Sequence, residues 1–211
     1  MMLVVVLQNQ NLEIMEKVIN TKEERIFLDS LKDIVKSARK YAYSSICFAQ
    51  VQSNWLLGKR IVEQIQKGND KAEYGKHILK IASESLTEEF GKGYSETNLK
   101  SFRKFYMIFK DYSIGQTVSA QLYDTKRQAL PAILSWSHYE RLMRIRDKKI
   151  RDWYMNEAAE QMWNFRTLNR NINTQYYERM LISHKKEVVE NEMKEKSKNF
   201  QKDKLEFIKN P

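Results

Sequence analysis

Apolar residues recur three to four positions apart, the period of a helix, along nearly all of the 211-residue chain. The clearest stretch runs from Asp70 to Lys110. Ile78, Leu79, Ala82, Leu86 and Phe90 form one stripe, and Gly75 lies on it, where a missing side chain admits a second helix. Asp70 and Glu73 have capping-box spacing, so this helix is expected to begin near Lys71. Gly91-Lys92-Gly93 then supplies two residues that accept positive φ at no steric cost. Ser95 is a good N-cap, and Tyr94 with Leu99 has the spacing of a hydrophobic staple. The pattern predicts a helix-turn-helix over 70–110.

The second of these helices separates into two faces. Leu99, Phe102, Tyr106 and Phe109 fall within roughly 80° of one another at about 100° per residue, which makes them the buried side. Thr97, Lys100, Ser101 and Lys104 point away, with Arg103 and Lys110 nearer the edge. Short polar and cationic side chains on such a face suit a recognition helix in a major groove. A basic, solvated helix face needs no ligand, however, and from the pattern alone both readings stand.

Upstream, Thr21 and Glu24 offer another capping box, and Ile26, Leu31, Ile34, Val35, Ala38, Ala42, Ile46, Ala49, Trp55, Ile61, Val62 and Ile65 keep helical intervals to Lys67. This is one very long helix, or two with a bend near Tyr43–Ser45 or Gly58. So long a pattern without a stop suggests coiled-coil-like pairing, and hence a homo-oligomer. Residues 1–20 form a strand-like or unstructured leader, with an apolar start too short to span a bilayer and no cleavage site. Downstream, residues 111–127 make a short hairpin, a wing or an irregular loop. Ser137 and Glu140 form a third capping box, opening a helix through Arg146. Further helices are expected from Asp152 to about Leu168 and from Tyr176-Tyr177, with the aromatics Trp153, Tyr154 and Trp163 in the core. Residues 183–211 are charge-rich and read as a helical connector rather than a packed element.

The predicted architecture is therefore all-α: a helical bundle over 21–182 containing a helix-turn-helix, with or without a wing, a long N-terminal helix and a charged C-terminal connector. Only two prolines and six glycines agree with it. A formal charge of +10 points to a polyanionic partner, nucleic acid before an anionic membrane surface. Arg141, Arg144, Arg146, Lys148, Lys149 and Arg151 form the densest cationic stretch, a second candidate for phosphate contact or a solvated helix end. The single cysteine, Cys47, excludes an intramolecular disulfide, fits a reducing cytoplasm and reads as a small core residue.

Catalytic chemistry is hard to find. His77, His138 and His184 are far apart, without metal-ligand spacing. Ser137 beside His138 is better explained as a cap, and no third partner is identifiable. There is no phosphate-binding loop, and Glu192-Met193-Lys194 sits in a polar connector without strand context. No catalytic or metal residue is assigned.

Trp55-Leu-Leu-Gly58-Lys-Arg60-Ile61-Val62, Tyr74-Gly75, and Leu86-Thr87-Glu88-Glu89-Phe90-Gly91-Lys-Gly93-Tyr94-Ser95-Glu-Thr-Asn98-Leu99 with Arg103 and Phe105-Tyr106 resemble the N-terminal domain of the YhcG-type family. Leu134-Ser135-Trp136-Ser137-His138-Tyr139 and Trp163, Arg166, Leu168 and Ile172 are similar to its second half, so the resemblance covers Thr21 to Leu181. It implies a nuclease whose catalytic part is a C-terminal PD-(D/E)xK domain using Mg²⁺, beginning just after a segment like Phe207–Pro211. On that expectation the chain is the N-terminal half alone, not itself an enzyme and without a cofactor of its own. Two functions follow. The first is a DNA-binding module that delivers the nuclease, using Thr97, Lys100, Ser101, Arg103 and Lys104, with Arg141, Arg144 and Arg146. The second is an assembly scaffold without direct DNA contact.

Overall fold

The computed structural model describes residues 22–67, 72–113, 129–183 and 186–201. They form eight helices: α1 Lys22–Lys67, α2 Ala72–Phe90, α3 Glu96–Phe109, α4 Trp136–Leu142, α5 Lys148–Glu160, α6 Phe165–Asn173, α7 Tyr176–Ile182 and α8 Lys186–Gln201. Among the described residues the one β feature is an isolated bridge between Ser113 and Ala129. The all-α expectation holds. The leader, the wing or loop at 114–128, His184, the C-terminal end and the capping residues Thr21 and Asp70 lie outside the described residues.

The chain divides into two units, residues 1–42 and 43–211. In the first, the described part of α1 carries mostly exposed side chains and two surface ion pairs, Asp29–Lys32 at 3.0 Å and Asp33–Lys36 at 2.9 Å. These pairs at i,i+3 support the helix locally.

The second unit contains the core. Its main cluster gathers Val51 from α1, Phe105 and Phe109 from α3, Tyr139 and Leu142 from α4, Tyr154 and Met155 from α5, then Trp163, Leu168 and Tyr176. A smaller cluster joins Ile61, Leu79, Leu99 and Phe102, so α1, α2 and α3 meet there. α1 is a single helix through both suspected bends. Gly58 is not a break: a Cβ built on it would lie 2.1 Å from the Phe102 carbonyl oxygen and 3.0 Å from Tyr106 Cβ. α1 and α3 therefore cross nearly backbone to backbone, which only glycine permits. The close approach expected at Gly75 is an ordinary one, 3.7 Å to the Ile65 side chain.

Three further boundaries differ from the sequence reading. α4 is capped by Ser135, not Ser137, and stops at Leu142. The helix expected over 152–168 is two helices, because Met162 adopts φ 52° and Asn164 restarts the chain by accepting the Thr167 N–H at 2.8 Å. α8 is more than a connector: Met193 is buried in the main cluster, Val189 packs beside it, and Glu192 pairs with Arg179 at 2.5 Å. Cys47 is buried, as its apolar neighbourhood indicated.

Candidate nucleic-acid interface

The turn between α2 and α3 follows the sequence closely. Gly91 and Gly93 take φ 78° and 124°, and Ser95 Oγ accepts the Asn98 N–H at 3.3 Å. The Asn98 side-chain amide donates to the Gly93 carbonyl at 2.8 Å, a tie that fixes where α3 starts. Tyr94 packs on the Leu99 cluster, as a staple should. Phe90, expected inside, is 59% exposed with its ring 6.1 Å from that of Tyr94, because the buried stripe of α2 ends at Leu86.

α3 is held on three sides. α1 meets it at Gly58, and α2 meets it through Leu79. α4 brings Trp136, whose ring centroid lies 5.2 Å from both Phe102 and Phe105. Phe105, left out of the predicted buried face, is fully buried because α4 covers that flank and adds Tyr139 at 5.2 Å. Tyr106, predicted inside, is half-buried and packs edge-on against Trp55 at 4.9 Å. Leu99, Phe102 and Phe109 are buried as expected.

The remaining side of α3 faces solvent. Thr97, Lys100 and Lys104 are exposed, while Ser101 and Arg103 are half-buried at its margins. Lys100 sits 3.3 Å from Glu96, a surface pair that contributes little. Neither Arg103 nor Lys104 makes an ion pair among the described residues. Lys100 and Arg103 also line a groove of ≈ 600 Å³ whose other wall, from α2, carries Lys76, His77 and Lys80. The sequence reading missed these α2 cations. Their signal was present, since Lys76 and Lys80 are four apart, each one residue after a position on the buried stripe.

A family model described as "DUF1016 N-terminal domain" matches residues 30–179. The chain belongs to the DUF1016 N-terminal domain family. The protein of Escherichia coli (strain K12) named "Putative nuclease YhcG" is 32% identical over 175 residues, covering 75% of this chain and 47% of its own length. The chain thus spans about half the length of that relative. The expected resemblance to a YhcG-type N-terminal domain is borne out. No solved structure matches.

In this DUF1016 N-terminal domain the second cationic group is dispersed. Arg141 turns to α6, where Nε donates to Asn169 Oδ1 at 2.7 Å and Nη2 to Asn173 Oδ1 at 2.8 Å. Burial and the neighbouring Arg144 lower its pKa. Arg144 and Arg146 are exposed. Arg151 is 7% exposed, donates to the Ile145 carbonyl at 3.1 Å and lies over the Phe109 ring at 5.5 Å, so it is a core residue. No hydrogen bond or ion pair among the described residues links Arg141, Arg144 or Arg146 to the α3 face.

The serine that meets His138 is Ser135, not Ser137. His138 Nδ1 lies 2.7 Å from Ser135 Oγ, and Nε2 lies 3.0 Å from the Trp163 carbonyl oxygen. A carbonyl only accepts, so Nε2 carries the proton, and Nδ1 accepts from Ser135. With both nitrogens tied and the ring 2% exposed, the pair fastens α4 to the α5–α6 turn. Glu192 and Lys194 sit on α8, where Glu192 pairs with Arg179 and Lys194 with Glu190. Among the described residues no group of histidine, cysteine or carboxylate side chains could hold a metal ion. No described helix is long and apolar enough to cross a membrane.

Proposed function

We propose that this chain is the DNA-binding module of a longer nuclease, and that α2, the glycine turn and α3 work as a helix-turn-helix. One observation carries the reading: Lys100 and Arg103 of α3 converge with Lys76 and Lys80 of α2 around an open groove, and Lys104 is exposed one turn beyond Lys100 on the same helix. The apolar flanks of α3 are meanwhile locked to α1, α2 and α4. Cations on a rigid helix face set phosphate register at little entropic cost, and Thr97 and Ser101 beside them can reach base edges. The net charge of +10 favours a polyanion as partner, and the relative matched over 47% of its length is named "Putative nuclease YhcG". Hydrolysis, with its Mg²⁺, then belongs to sequence outside this chain.

The test is fluorescence-anisotropy binding to duplex, branched and single-stranded DNA, comparing wild type with Lys100→Glu/Lys104→Glu and Arg144→Glu/Arg146→Glu. These side chains make no buried contact, so the variants should fold. The α3 pair should weaken binding at least about tenfold, through both lost attraction and added repulsion. The Arg144/Arg146 pair should do less. Equal binding by the α3 variant and wild type would remove the assignment.

A further inference from the structure

The first unit carries a row of exposed apolar side chains. Phe27 is 60% exposed, Leu31 43%, Ile34 65%, Val35 50% and Tyr41 73%. These residues follow a heptad register. Leu28, Val35 and Ala42 fall at a, Leu31 and Ala38 at d, and Phe27, Ile34 and Tyr41 at g. The opposite side, at b, c and f, carries Asp29, Ser30, Asp33, Lys36, Ser37 and Lys40, with Ile26 the apolar exception.

We propose that this row is the seam of a parallel, in-register, two-stranded coiled coil with a second copy of the chain. Three observations select that occupant. The exposed parts of the five large side chains amount to about 500 Å² per chain, taking about 150–250 Å² for each whole side chain. Pairing two copies therefore buries at most about 1,000 Å², the size of a weak, reversible interface. The small Ala38 and Ala42 let the two backbones approach, and Val35 at a following Leu31 at d favours two strands over three.

Charge then sets the orientation. The e positions are Arg25, Lys32 and Arg39, with no carboxylate at e or g. Antiparallel self-pairing would set this cationic row against its own copy, whereas parallel pairing lays each e side chain beside the partner's g residues. There the stems of Lys32 and Arg39 cover Phe27 and Ile34, and the charged heads reach water. The proposal is independent of DNA binding, and its readouts involve no DNA.

Sedimentation equilibrium of the full chain should show the mass rising with concentration from 25.3 kDa to twice that value, and the rise should persist at high salt. Val35→Lys should raise the dimer dissociation constant at least about tenfold while circular dichroism reports an unchanged helix content. Under mild oxidation Leu28→Cys should form an intermolecular disulfide, because identical a positions meet only in a parallel pair. Ser30→Cys, on the outer side, should not, and wild type with its buried Cys47 is the blank. A chain that stays monomeric, a trimer or larger species, or Leu28→Cys that links only to Ala38→Cys would overturn the proposal.

Discussion

Gly58→Ala asks whether the crossing of α1 and α3 sets the position of the cationic face. The added methyl would lie 2.1 Å from the Phe102 carbonyl oxygen and 2.7 Å from its carbonyl carbon. Carbon normally approaches such an oxygen no closer than about 3.3 Å, so the helices must part by more than ~1 Å. Both offending atoms are backbone, within a helix clamped on its far side by Trp136 and Tyr139, so no rotamer change relieves the overlap. Overpacking of this kind costs ~1–3 kcal/mol and sometimes more, and a backbone clash belongs at the upper end. Alanine returns about 1 kcal/mol as a better helix former, leaving a net loss of about 2 kcal/mol or more. For a chain of this size that lowers the melting temperature by ~4–8 °C. Thermal melts and urea titrations followed by circular dichroism read the change. A variant as stable as wild type would refute the crossing and the placement of α3 that depends on it.

Gly75→Ala is the counterpart: its methyl would meet Ile65 at an ordinary 3.7 Å, so the variant should gain about 0.5–1 kcal/mol in the same melts. Burial raises the phenols of Tyr43, Tyr154 and Tyr176 to about 12. Folding thus favours their neutral form, so the stabilisation is intact below the unfolded value near ~10 and lost as pH rises towards 12. Helicity and tyrosinate absorbance should therefore change together in that window, and three phenols ionising at the ordinary value with the fold intact would contradict this. Lys76→Ala/Lys80→Ala should weaken duplex binding several-fold and flatten its salt dependence, as measured by anisotropy, if the α2 wall of the groove meets phosphate. Ser95→Ala should cost ~1 kcal/mol in denaturant melts through the lost cap.

What could be read in the sequence was local. The glycine turn, the Ser95 cap and the exposed Thr97, Lys100 and Lys104 of α3 depend on residues within a few positions of each other, and those readings hold, while Ser101, also read as outward, is half-buried. What could not be read needed a partner helix. Phe105 becomes core only because α4 arrives on its flank, and Gly58 reads as a weak point until α3 is laid across it. Periodicity also ran on through Met162, where a single left-handed residue ends one helix and Asn164 starts the next. The cationic stretch 141–151 looked continuous in sequence. In space Arg141 binds two asparagines and Arg151 enters the core, leaving only part of it to solvent. The α2 wall of the groove was overlooked because Lys76 and Lys80 matter only once Lys100 and Arg103 face them.

The central claim is that the open face of α3 meets phosphates, and the salt dependence of duplex binding tests it most directly. The logarithm of the binding constant should fall linearly with the logarithm of salt concentration, losing about 0.9 in slope for each phosphate neutralised. Replacing Lys100 and Lys104 by alanine should make that slope shallower by roughly 1–2. A slope identical in wild type and variant, or binding to DNA that does not respond to salt, would contradict the account.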